Sequence, residues 1–186
     1  LTWGNQTSKQ QIEVREDPRI DDQITNEDYA AQLQLGLTLR NAINDVHEKI
    51  KEIRSVRGQL QWLSQQTEVA AVDSMATAII QELTAFEQKL MQTKNKSGQD
   101  PIRFAPQLDN QLVETYGYVT GQDGYISGGR EGRPNAAAYN RWEDLEAQWL
   151  ELRVEIDEHI RTRVETFNEL IQQHQVMGVK YKKPRS

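Results

Sequence analysis

Three histidines, His47, His159 and His174, are the residues best suited to hold a metal in a chain that has no cysteine. In a helical protein the chemistry to test is a di-iron or di-manganese centre. Such centres take Glu-x-x-His from two helices and a single inward Glu from each of two others. Three residues before the histidines stand Asn44, Ile156 and Ile171, and none is a carboxylate. The apolar stripes described below are also nearly free of Asp and Glu. The signature is missing, so neither a metal nor another cofactor is expected. His159, beside Ile156 and Ile160, reads as a half-exposed packing residue.

Other reactions lack their motifs too. There is no Gly-x-Ser-x-Gly, His-Glu-x-x-His, P-loop or dinucleotide fingerprint. Gly128-Gly129-Arg130-Glu131-Gly132 superficially suggests a phosphate cradle, but it lacks the spacing and the preceding strand, and a mobile loop is expected. The carboxylate pairs Glu143-Asp144 and Asp157-Glu158 fall on solvated helix backs, and 28 acidic residues produce such pairs by chance. The sequons Asn5-Gln6-Thr7 and Asn95-Lys96-Ser97 are short enough to arise the same way. The basic end, Lys180 to Arg185, reads as a solubilising tail. No catalytic residue emerges.

Composition narrows the class further. The 186 residues suit one domain, or one domain with a fragment of another. Apolar residues make up 37% and charged residues 27%, the balance of long helices with narrow apolar stripes. A net charge of −6 argues against a nucleic-acid surface, which needs a concentrated basic face. No apolar run approaches the ~18 residues of a membrane span. The first residues, LTWGNQTSKQQ, hold no apolar signal core and no initiating Met, so the chain looks like a processed or excised piece.

The elements follow from periodicity. Gln10 to Val14 reads as a short strand, with Leu1 to Trp3 as the end of another and Gly4-Asn5 as a turn. Asp17-Pro18-Arg19 stops the strand. Two short strands cannot form a stable sheet alone, so residues 1–19 are expected to be the trailing edge of an upstream β domain, β-sandwich-like by the resemblance given below. Helix 1 then runs from Asn26 to Ser64, entered by a Thr25/Asp28 capping box. Its stripe is Leu39, Ile43, Val46, Ile50, Ile53, Val56, Leu60 and Leu63. Lys49, Glu52, Arg54 and Arg57 belong to its solvated back. Gly36 lies on the stripe, where glycine is either tolerated or required by a bulky partner's close approach.

Helix 2 is expected from Glu68 to Gln92, capped by Thr67 and stopped by Gly98. Helix 3 is expected from Pro106 to Val119, with Phe104, Leu108, Leu112, Tyr116 and Val119 inward. A glycine-rich segment from Gly117 to Pro134 is too polar for a regular element. Helix 4 runs from Asn135 to Val176, with Trp142 and Trp149 seven residues apart on its stripe, and Gly178 ends it. The fold class is all-α: an antiparallel up-down four-helix bundle over 20–178, three helices long and one short. A short N-terminal β segment precedes it and a basic tail, 179–186, follows.

The order VREDPRI, an acidic spacer, and a long helix ending IRSVRGQLQWL resembles the C-terminal helical region of bacterial secreted proteins. Those proteins carry BNR (Asp-box) repeats in sortilin-like β-propellers and are described as glycosyl-hydrolase-like. The resemblance extends to E-x-x-L (Glu87 to Leu90), D-x-I-x-x-x-P-x-L (Asp100 to Leu108) and F-N-x-L-I (Phe167 to Ile171). It implies a propeller upstream that holds any hydrolase chemistry, since no Ser-x-Asp-x-Gly-x-x-Trp box occurs here. It also implies a secreted or periplasmic location, and partners in the upstream β domains of the same parent chain or in another protein chain.

The expected function is that of a non-catalytic helical module serving stabilisation or docking. Trp3, Trp62 and Tyr139, at or off the stripe edges, are the candidate contact residues. The alternative is an independent binding or adhesion module using the 117–134 loop, with Arg130 and Arg133. An enzyme of unrecognised class is the third reading.

Overall fold

A computed structural model describes residues 2–13, 15, 24–97, 102–121, 131–174 and 179, with only the backbone of 2 and 3. Four helices carry most of it, and there is essentially no sheet. They are α1 (Asn26–Gln66), α2 (Ala70–Leu90), α3 (Leu108–Thr120) and α4 (Ala136–Gln173). The only strands among the described residues are β1 (Thr2–Trp3) and β2 (Gln6–Thr7), an antiparallel pair turning at Gly4-Asn5. Of the expected strand Gln10 to Val14, Gln10 to Glu13 is exposed and pairs with no described strand, and Val14 lies outside the described residues. Asp17 to Arg19, Gly98, Arg130, Gly178 and the basic tail from Lys180 lie outside the described residues.

The caps explain where the helices begin and end. Thr25 and Asp28 make the expected capping box, each side chain taking the other's backbone N–H. Thr67 does not cap α2: its hydroxyl accepts from the Val69 N–H, and Val69 itself stands at the cap position without a side-chain bond. α2 ends earlier than expected, at Leu90, where Met91 turns extended. α3 starts at Leu108 rather than Pro106, behind a Gln107/Asn110 box. It ends at Thr120, one residue past the expected Val119, and so takes in the first four residues of the glycine-rich segment. The real stop is Gly121, whose φ of 71° is the left-handed cap that glycine adopts without strain.

Residue pairs between helices give their directions. Ser64 bonds Asp73, while Arg57 bonds Thr84 and Glu87, so α2 runs antiparallel to α1 along its C-terminal half. His47 meets Asp109 and Gln32 meets the Val119 carbonyl, so α3 runs antiparallel to α1 along its N-terminal half. α4 opposes both: Arg141 reaches Gln111 on α3, and Arg163 reaches Glu82 on α2. α1 spans about 60 Å and α2 only about 30 Å, so α2 meets the C-terminal half of α1 and α3 the N-terminal half.

Between these helices Leu39, Val46, Ile53, Leu60, Val72, Ile79, Leu83, Leu112, Ile156, Val164 and Phe167 are fully shielded. Trp149 is buried with them, whereas Trp142 is half-buried at the edge. The two central glycines of α1 differ in kind. A Cβ on Gly36 would stand 3.2 Å from Thr120 Cγ2, so it is a small side chain that approaches, not a bulky one. That Thr120 is held in place by donating its hydroxyl to the Tyr116 carbonyl at 2.8 Å. Among the described residues, a Cβ on Gly58 would meet nothing within 4 Å. Gly58→Ala should therefore raise stability by about 1 kcal/mol, the helix propensity difference, in urea titrations at a few micromolar chain. Gly36→Ala should return less than that, or lose stability, because Thr120 must move.

Candidate functional site

Polar chemistry in this protein sits in the seams between helices. In the α1–α2 seam Glu87 is buried, its carboxylate 5% exposed. One oxygen accepts from Arg54 Nε at 2.7 Å and the other from Arg57 Nη1 at 2.5 Å. In the sequence Glu87 stands out only as the first residue of the E-x-x-L motif. Its position between Leu83 and Leu90, on the stripe of α2, is the signal that it points inward. Arg54 and Arg57, expected on a solvated back, bend into the seam to meet it.

The other seams follow the same rule. Lys49 of α1 bridges Glu52 of its own helix and Asp157 of α4. Glu82 of α2 accepts a two-pronged contact from Arg163 of α4, at 2.8 and 2.9 Å. The same carboxylate lies 3.1 Å from His159 Nε2, and the His159 ring packs edge-on against Phe86 with centroids 5.0 Å apart. His47 Nε2 lies 2.7 Å from Asp109, which is buried on α3. Contrary to the expectation of apolar interiors, two carboxylates, Glu87 and Asp109, are thus inside. Among the described residues no three His, Asp or Glu side chains gather as a metal site requires. Among them, too, no helix is long and apolar enough to cross a membrane.

At the far end of α1 the chain returning to α4 is strapped down. Gly132 donates its N–H to Gln32 Oε1 at 3.3 Å, while the Gln32 amide donates to the Val119 carbonyl. Gly132 has a φ of 110° and is buried against Ile24, a position no other residue fills without strain. Arg133 donates to Asp28 at 2.8 Å, and Tyr29 donates to Glu131. Asn135 caps α4 through the Ala138 N–H, and its amide donates to the Tyr118 hydroxyl.

The Thr25 backbone N–H, then the Arg133 guanidinium and the Thr25 hydroxyl, hold the Asp28 carboxyl down at about 2 from an ordinary 3.8. The same contact raises the Arg133 value. A carboxylate whose folded value lies below its unfolded one stabilises fully above the unfolded value and loses that contribution as pH falls. Protection factors of the first turn of α1, the exchange rates corrected for the intrinsic rate at each pH, should therefore fall between about pH 4 and pH 2, through the window set by Asp28. In the Asp28→Asn variant that pH-dependent loss of protection should vanish.

These facts place the candidate contact residues. Trp62 is 54% exposed near the C-terminal end of α1. Tyr139 is half-buried against the core at the start of α4. Arg133 is engaged by Asp28, about 50 Å from Trp62 along α1. Trp3 lies in β1, its side chain outside the described residues, as is all of Arg130. Trp62 and Arg133 therefore do not converge on one surface. Compared with known proteins, the chain matches no family model, no curated protein and no solved structure.

Proposed function

We propose that this chain is a non-catalytic helical module of a larger secreted β-propeller protein, acting as a stabilising or docking rod. The helices are read as one up-down bundle in which α2 and α3 share a place. One observation carries the reading. Glu87, Asp109 and Lys49 each bind an ionisable partner on a neighbouring helix, and Glu52, as shielded as Asp109, is held by Lys49. Groups mated in this way hold helices in register, and none is left poised for a substrate. The propeller context and secreted location rest on the resemblance in the VREDPRI and IRSVRGQLQWL stretches.

The reading is tested on the residues encoded ahead of Leu1. Asp-box repeats there support it, and their absence removes the propeller from the account. The upstream β domain, made separately, should then bind this chain in calorimetry at about 100 μM and melt at a higher temperature with it. Neither effect would leave the docking role without support.

The alternative, capture of a ligand by the 117–134 segment, is favoured by the way its flanks are held. Gly121 caps α3 on one side, and Gly132 and Arg133 clamp to α1 on the other. Deleting residues 122–130 should then abolish binding without shifting the melt.

A further inference from the structure

Ser55, Gly58, Trp62 and Gln65 follow one another at three- and four-residue steps, and all four are exposed. That spacing puts them on one outward stripe of α1. Two features of the stripe are unfavourable to the isolated chain. Gly58 weakens the middle of a helix although no described residue would come within 4 Å of a Cβ there. Trp62, one turn on, leaves half of a large indole in water.

The surroundings are uncharged. No charged residue occurs from Gly58 to Thr67, and only Glu68 and Asp73 from Gly58 to Gln81, in a chain with 27% charged residues. Asp73 is itself bonded to Ser64. Arg54 and Arg57, which flank the stripe, are turned into the seam toward Glu87.

We propose that this stripe is a two-fold contact between copies of the chain, Trp62 of one copy seated over Gly58 of the other. A knob and a notch one turn apart on the same helix face are self-complementary. Set antiparallel about an axis midway between them, each knob meets the partner's notch, as an isologous interface requires. A glycine at the crossing lets the helices approach closely enough for the indole to be covered.

Charge selects the same occupant. With a net charge of −6, two copies repel over most of their surfaces. The uncharged tip is where a second copy approaches at least electrostatic cost, and depletion of charge with an aromatic anchor is the composition of an interface core. A contact of about three helical turns is small, so the dimer is weak and reversible. This inference does not depend on a propeller lying upstream.

Sedimentation velocity of the full chain from about 5 to 500 μM tests it. The weight-average mass should rise toward that of a dimer across this range. Trp62→Ala and Gly58→Leu should each raise the dissociation constant at least tenfold, with unchanged helical circular dichroism. Leu150→Ala, at an exposed site on α4, should leave it unchanged. A monomer throughout the range overturns the proposal, as does an association that survives both tip variants. Should the separately made β domain, and not a second copy, protect Trp62 from collisional quenching, the stripe belongs to that domain and the proposal is likewise overturned.

Discussion

Trp149→Ala should lower the unfolding free energy by about 3–5 kcal/mol, the range for removing a buried aromatic side chain whose cavity does not collapse. Trp149 is 4% exposed, midway along α4, on the stripe that carries Leu145, Leu152 and Ile156. It lies between Arg141, which reaches Gln111 of α3, and Glu155, which reaches Lys89 of α2. At 2–4 °C per kcal/mol for a domain of this size, the melting temperature should fall by about 6–20 °C. Trp142→Ala is the internal comparison. That side chain is half-buried at the core edge, and its loss should be less than half as large. Equal melting curves for Trp149→Ala and the parent would mean that the stripe of α4 faces water.

Why Trp149 could be placed from the sequence, and Glu87 could not, is a matter of range. Helical periodicity is local. Val46, Ile50, Ile53, Val56, Leu60 and Leu63 recur at steps of three and four, and each is buried in α1. The same spacing put Ile156, Ile160, Val164 and Phe167 inward on α4. The Thr25/Asp28 box is local too, being one turn of chain, and it formed. A carboxylate on an apolar stripe is ambiguous in its own helix. It becomes a buried group only when two arginines stand opposite, and Arg54 and Arg57 lie 33 and 30 positions away.

That α2 and α3 meet different halves of α1 is another long-range fact. Glycine misled in the opposite sense. Gly117 opens the glycine-rich stretch yet lies inside α3, which buries Val119 and ends at Thr120 with Gly121 as its cap. The exposed Trp62 was legible as an off-stripe residue. Its neighbour Gly58 gained meaning only once the space beside it was known to be open.

The second large effect is expected where Glu87 is left without its arginines. Glu87 has 5% of its side chain exposed, whereas Arg54 keeps 53% and Arg57 26%. The desolvation therefore falls on the carboxylate, and the guanidiniums supply the compensation from the solvent side. Changing both arginines to methionine keeps the long apolar stems and removes the charges, leaving an uncompensated buried anion. The expected loss is about 3–5 kcal/mol in urea unfolding. Removing the other partner should not be symmetrical. Glu87→Leu frees two guanidiniums with a route to water, so its cost should stay below about 2 kcal/mol. Adding Glu87→Leu to the double methionine variant should recover most of the loss, because an apolar replacement of the whole cluster has no charge to desolvate. The cycle separates two roles for this seam. If the triple variant matches the parent in stability, the cluster serves to align α1 with α2 and does not hold them together. A triple variant as unstable as the double would show that the loss comes from packing of the arginine stems and not from a stranded charge.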